Sequence, residues 1–156
     1  MIQRIQTLYL VAIVALMTTA LLTPLAYFAA GTNVYELFAF ELVSEAGGDA
    51  SSQSTLYMGV IVALSAIIPL VTIFLFKNRM LQIRLCAVEL VLLVGAQIFM
   101  ALYYYLSNRM FEQLEFHSQG FRIAIIFPLV AIILDYLALR AIFKDEMLVR
   151  SLDRIR

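Results

Sequence analysis

The sequence has no tryptophan, one cysteine, one histidine and three prolines, and only 14% of its residues are charged. A lone cysteine, Cys86, forms no intramolecular disulfide. Beside Arg84 at the edge of an apolar segment, it reads as a small packing residue and not a nucleophile. A lone histidine, His117, excludes paired-histidine haem ligation and most metal centres within one chain. There is no HExxH motif and no glycine-rich phosphate loop. Only Glu89 and Asp135 resemble a carboxylate dyad, and no partnered nucleophile accompanies them. The chain therefore reads as non-enzymatic, with no cofactor and no metal.

Apolar residues fill the space that charge leaves. Of 156 residues, 63% are hydrophobic, outside the range of a soluble domain of this length. Uncharged runs extend from Ile5 to Tyr35 and from Ala50 to Phe76. Each exceeds the roughly 20 apolar residues that cross a hydrocarbon core. Two further segments, Leu85–Ser107 and Phe121–Phe143, are long enough but carry Glu89 and Asp135 in their interiors. Continuous apolar runs favour helices over barrel strands, which alternate. The expected fold is all-α: one membrane domain, a bundle of four transmembrane helices spanning about 7–30, 55–76, 85–107 and 121–143. A cleaved secretory signal is disfavoured for the first segment, whose apolar stretch is about twice the usual 7–15 residues.

Lysine and arginine set the expected orientation. Arg4, Lys77, Arg79, Arg84, Arg140, Lys144, Arg150, Arg154 and Arg156 fall on one side, and only Arg109 and Arg122 on the other. Both termini are thus expected in the cytoplasm of a bacterial inner membrane, and a net charge of zero conceals a strongly polar molecule. The stretch FKNRMLQIRL, Phe76 to Leu85, reads as the cytoplasmic turn between spans two and three. Its charges lack the clustering and aromatic partners of a nucleic-acid site. Contact with anionic membrane lipids accompanies the topological role, with Lys77, Arg79, Lys144, Arg150 and Arg154 facing lipid or a partner.

Between spans, VSEAGGDASSQS reads as an exposed connection, and NVYELFAFELV as an interfacial helix or a short hairpin. NRMFEQLEFHSQG reads as an amphipathic stretch near the headgroups, and the run Tyr103, Tyr104, Tyr105 as an interfacial anchor. Pro24, Pro69 and Pro128 all fall inside the expected spans. The tail continues the fourth span as a cytoplasmic amphipathic helix, with Leu148, Leu152 and Ile155 on one face.

An acid within a span costs about 2.5–3.5 kcal/mol on insertion scales and marks a candidate site. Glu89 lies five residues past Arg84, and Asp135 five residues before Arg140, so both sit toward the basic side. Cross-helix pairs of Glu89 with Arg140 and Asp135 with Arg84, with Gln97 deeper, are the expected polar cluster. Two functions are compatible with it: an accessory or scaffold subunit binding a larger membrane-protein complex through its helices and tail, or a small proton- or ion-coupled transporter using Glu89 and Asp135.

The opening MIQRIQTLYL, the central FKNRMLQIRL and the closing ALRAIFKDEMLVRSLDRIR together resemble a Bacteroidota membrane family, the domain of unknown function 4293. The resemblance implies a small four-span inner-membrane protein and brings no activity, substrate or cofactor to any residue.

Overall fold

The computed structural model describes residues 2–30, 33–44, 54–75, 78–111 and 117–153. Four helices dominate: α1 (Ile2–Leu22), α2 (Leu56–Phe74), α3 (Arg79–Phe111) and α4 (Phe127–Asp153), the last preceded by a 3-10 turn at Ile123–Ile126. All four are long and apolar enough to cross a membrane, as in a multi-pass membrane protein. They pack in a ring, α1 on α2, α2 on α3, α3 on α4 and α4 on α1.

The ring closes through one repeated pattern. Buried positions are Gln6, Leu10, Ile13, Met17 and Ala20 on α1, and Met58, Val62, Ser65, Pro69 and Thr72 on α2. On α3 they are Gln82, Cys86, Glu89, Leu93, Ala96, Met100, Tyr103 and Ser107; on α4, Pro128, Ala131, Asp135, Ala138, Ile142 and Asp145. Steps of four and three residues alternate on every helix, the spacing of a left-handed bundle seam. Alanine and cysteine at many of these positions allow close helix approach.

A small sheet was not part of the expected fold. The strands β1 (Ala26–Ala30), β2 (Asn33–Leu37), β3 (Leu42–Ser44) and β4 (His117–Phe121) form one antiparallel sheet in the order β3-β2-β1-β4. It ties the α1–α2 connection to the α3–α4 connection at one end of the bundle. The expected first span, 7–30, is shortened because Pro24 disfavours helix at the residue before it. The chain then enters pairing at once: the Leu25 N–H donates to the Leu37 carbonyl at 2.7 Å, and the Arg122 N–H to the Leu25 carbonyl at 2.9 Å. Of the alternatives for NVYELFAFELV, the structure adopts the hairpin, closed by Phe38 N–H donating to the Glu41 carbonyl at 2.8 Å. Pro24 lies beyond α1 and Pro128 in the first turn of α4, so among the three only Pro69 sits in a helix interior.

Aromatic rings fix the sheet to α3. Phe28, fully buried, meets Tyr104 at 5.3 Å and Phe111 at 5.6 Å between ring centroids, while Tyr35 stacks on Phe111 and Tyr104 on Phe121. The tyrosine run is thus divided. Tyr104 docks the sheet, Tyr103 is buried against Phe99, and only Tyr105 faces outward, beneath the Arg109 guanidinium. Three consecutive helical residues point about 100° apart, so they cannot share one interfacial role.

The hairpin also touches α2 closely. A Cβ at Gly59 would collide with the Phe40 ring, whose carbonyl accepts from the Thr55 N–H at 3.0 Å. Gly95 on α3 faces open space. Replacing Gly95 by Ala is expected to raise stability by about 0.5–1 kcal/mol through helix propensity. Gly59→Ala is expected to lower it by about 1 kcal/mol or more, because overpacking outweighs that gain. Thermal unfolding of the two variants in detergent compares them directly.

Candidate functional site

The bundle has two unlike halves. Toward the sheet, the seam holds Leu93, Ala96 and Met100 from α3, Met58 and Val62 from α2, and Ala131 from α4, all without measurable exposure. Toward the other end, where α1 begins and α4 ends, polar residues occupy the same seam: Gln6, Thr72, Gln82, Glu89, Asp135 and Asp145.

Two of these polar contacts join helices. The Gln6 amide donates from Nε2 to Asp145 Oδ2 at 2.7 Å, linking the start of α1 to the end of α4. The Gln82 amide donates from Nε2 to the Thr72 carbonyl at 3.0 Å, linking α3 to α2. Neither pair was anticipated. The available signal was spacing, since Gln82 lies seven residues before Glu89 and Asp145 ten after Asp135, both whole numbers of seam steps.

Glu89 and Asp135 lie one layer deeper, 1% and 0% exposed. Asp135 is within electrostatic reach of Glu89 and of the Cys86 thiol. No N–H or O–H of the protein donates to any of the four carboxyl oxygens, and the Cys86 thiol lies against Asp135 as a weak donor. The expected ion pairs of Glu89 with Arg140 and Asp135 with Arg84 are not formed, and both arginines are exposed. The seam explains why. Positions 82, 86 and 89 point inward on α3 and 135, 138 and 142 on α4, so positions 84 and 140 point outward. The arginines therefore stay at the rim while the acids share the interior.

The other candidate residues are dispersed. Gln97 is half-buried off the seam, its Oε1 enclosed without a hydrogen bond. Arg79 is half-buried, and Lys144 and Leu148 are exposed. Lys77, Arg154 and Ile155 lie outside the described residues, as do the side chains of Arg150 and Leu152. At the sheet end, Arg122 pairs with Glu36 at 2.9 Å and covers the Tyr27 ring. Among the described residues, no group of three histidine, cysteine or acidic side chains is arranged to hold a metal ion.

Chemically, two adjoining carboxyls without a cation differ from a salt-bridged clamp. Enclosed in a bundle and surrounded by apolar side chains, two carboxylates would each bear desolvation and mutual repulsion. Transferring a proton to either one relieves both costs and creates a donor. The arrangement is therefore suited to holding and releasing protons.

Gln6→Leu should leave the Asp145 carboxyl without its partner and lower stability by about 1–3 kcal/mol. The double variant Gln6→Leu/Asp145→Leu should recover much of that loss, because both polar groups are then gone. A double-mutant cycle measured by thermal unfolding checks the sign of the coupling.

No curated protein matches the sequence. The model of the family "Domain of unknown function (DUF4293)" matches residues 2–155, nearly the whole chain, and the chain belongs to that family.

Proposed function

We propose that this protein is a non-enzymatic, proton-responsive membrane protein whose Glu89–Asp135 pair takes up and releases a proton inside the bundle. The observation that carries the reading is the burial of both carboxyls side by side with no cation between them, Glu89 without a hydrogen bond and Asp135 with only the Cys86 thiol beside it. Ionisable groups at membrane depth are costly and serve proton or ion handling or hold helices together. A clamp through Arg84 and Arg140 is not present, which favours the first role. The excess of basic residues at that end supports reading the polar half as the cytoplasmic half, in an inner membrane.

One further observation favours an accessory subunit of a membrane-protein complex over a stand-alone transporter. The seam beyond Glu89 toward the sheet is lined by Leu93, Ala96 and Met100, whereas a transporter needs polar access from both faces. Met147 and Val149, near the end of α4, are also exposed apolar residues beyond Lys144, in a position to meet a partner or the lipid surface. In this reading, protonation of the pair alters the packing of α3 on α4 and so alters what the subunit binds.

Dicyclohexylcarbodiimide, an apolar electrophile to which a protonated carboxyl adds by giving its proton to nitrogen and its oxygen to the central carbon, tests the proton site in purified protein. Labelling at Glu89 or Asp135 should fall as pH rises and should be lost in Glu89→Gln/Asp135→Asn. No labelling of either acid at any pH where the protein stays folded would defeat the reading. Isolation in mild detergent tests the assembly, and a clean homo-oligomer without a stoichiometric partner counts against the accessory role.

A further inference from the structure

Proline inside a helix removes one backbone donor, so the carbonyl four residues earlier receives no helical hydrogen bond. In α2 that residue is Pro69 and the carbonyl belongs to Ser65. Ser65 is fully buried, and its hydroxyl is turned away, donating to the Ile61 carbonyl at 3.0 Å. The main-chain oxygen is the acceptor from which Pro69 withholds the helical donor.

Its level in the bundle follows from the clamp between Gln82 and Thr72. These residues touch across antiparallel α2 and α3. Seven residues toward the sheet from Thr72 is Ser65, and seven from Gln82 is Glu89. Each step advances about 10 Å and two turns, returning to nearly the same face. Ser65 and Glu89, both in the seam, thus occupy one layer, with Pro69 and Cys86 in the layer between them and the clamp.

We propose that the main-chain carbonyl of Ser65, left without a donor by Pro69, accepts the hydrogen bond of protonated Glu89, which makes α2 the helix that registers the state of the carboxyl pair. The inference rests on the proton reading above. With the proton present, Glu89 supplies the donor that the proline removed. Without it, two oxygens face each other with no hydrogen between them, and α2 must shift at the one place where its hydrogen-bond ladder is already interrupted.

The ionisable surroundings of Glu89 are few. Asp135 faces it from α4 and Cys86 adjoins on α3. The only titratable side chain of α2 is Tyr57, near its far end, while among the described side chains α1 contributes Tyr9 near its start. Pro69 and Ser65 are positioning residues, since neither side chain carries the proton.

Pro69→Ala returns an N–H to the Ser65 carbonyl. In that variant the pH of half-maximal carbodiimide labelling at Glu89 should fall by about half to one unit, the effect of withdrawing one hydrogen bond from the protonated form. Ser65→Ala, which keeps the carbonyl, should leave it unchanged. A folded Pro69→Ala with the wild-type midpoint, or a shift in Ser65→Ala, overturns the inference while wild-type labelling leaves the proton reading standing. Loss of labelling in the wild type instead defeats that reading itself. Infrared difference spectra of wild-type protein with isotope-labelled serine carbonyls cover the case in which Pro69→Ala does not fold. A pH-dependent shift of the labelled amide band, lost in Glu89→Gln, supports the pairing. A static band overturns it.

Discussion

Every polar atom in the seam of a lipid-embedded bundle must find its partner in the protein, because hydrocarbon offers none. Most of the architecture answers to that demand. In the seam, Ser65 and Thr72 return their hydroxyls to carbonyls of α2 at 3.0 and 2.8 Å, and outside it Thr19 and Thr23 do the same to carbonyls of α1 at 2.7 Å. The hydroxyl of Thr55, at the start of α2, bonds the Ala39 carbonyl at 3.0 Å and so joins the hairpin to the bundle. Gln6 and Gln82 are used between helices, where a wrong register would leave an amide and its acceptor stranded. Ser107 Oγ and Gln97 Oε1 also lack a partner, but Glu89 and Asp135 stand out as two adjoining acids in the seam with no cation.

The existence of four membrane helices was legible from hydropathy alone, because length and apolarity are enough to mark a span. Which face of each helix turns inward was not. In lipid the exposed face is as apolar as the core, so Val88, Val91 and Ile98 on α3 cannot be told by type from the buried Leu93 and Met100. Polar residues carry the missing information. Gln82, Glu89 and Ser107, placed on one helical face, recover the seam of α3, and the same spacing excludes Arg84. The expected ion pairs failed because they were argued from depth without rotation. Depth put each arginine near an acid, and rotation put it outside the bundle.

The sheet was hidden for a different reason. AYFAA continues an apolar run, and nothing in its composition separates it from the helix before it. Pro24 was the signal, but a proline within a long apolar segment is as readily a tolerated kink as a stop. What turns it into a stop is remote: β1 pairs with β4, over 85 residues later in the chain, and with β2. Both long connections are thereby gathered onto the end of α3, and the tyrosine run is reassigned from interface to packing. A sheet built from two connections also limits how far the helix pairs can separate at that end.

This restraint bears on how a proton at Glu89 could be felt elsewhere. At the sheet end, the paired strands and the rings around Phe28 couple α1, α3 and α4 through many contacts, so a change confined to one carboxyl has little leverage there. At the opposite end, the hydrogen bonds described between helices include Gln6 to Asp145 and Gln82 to Thr72. The carboxyl pair lies next to these clamps, and Pro69 interrupts the hydrogen-bond ladder of α2 in the adjoining layer. The polar residues and the interrupted helix therefore coincide in one half of the bundle. On the proposed reading, a change in protonation acts first on that half, the end that carries the exposed Arg84 and Arg140 and the exposed Met147 and Val149 of α4.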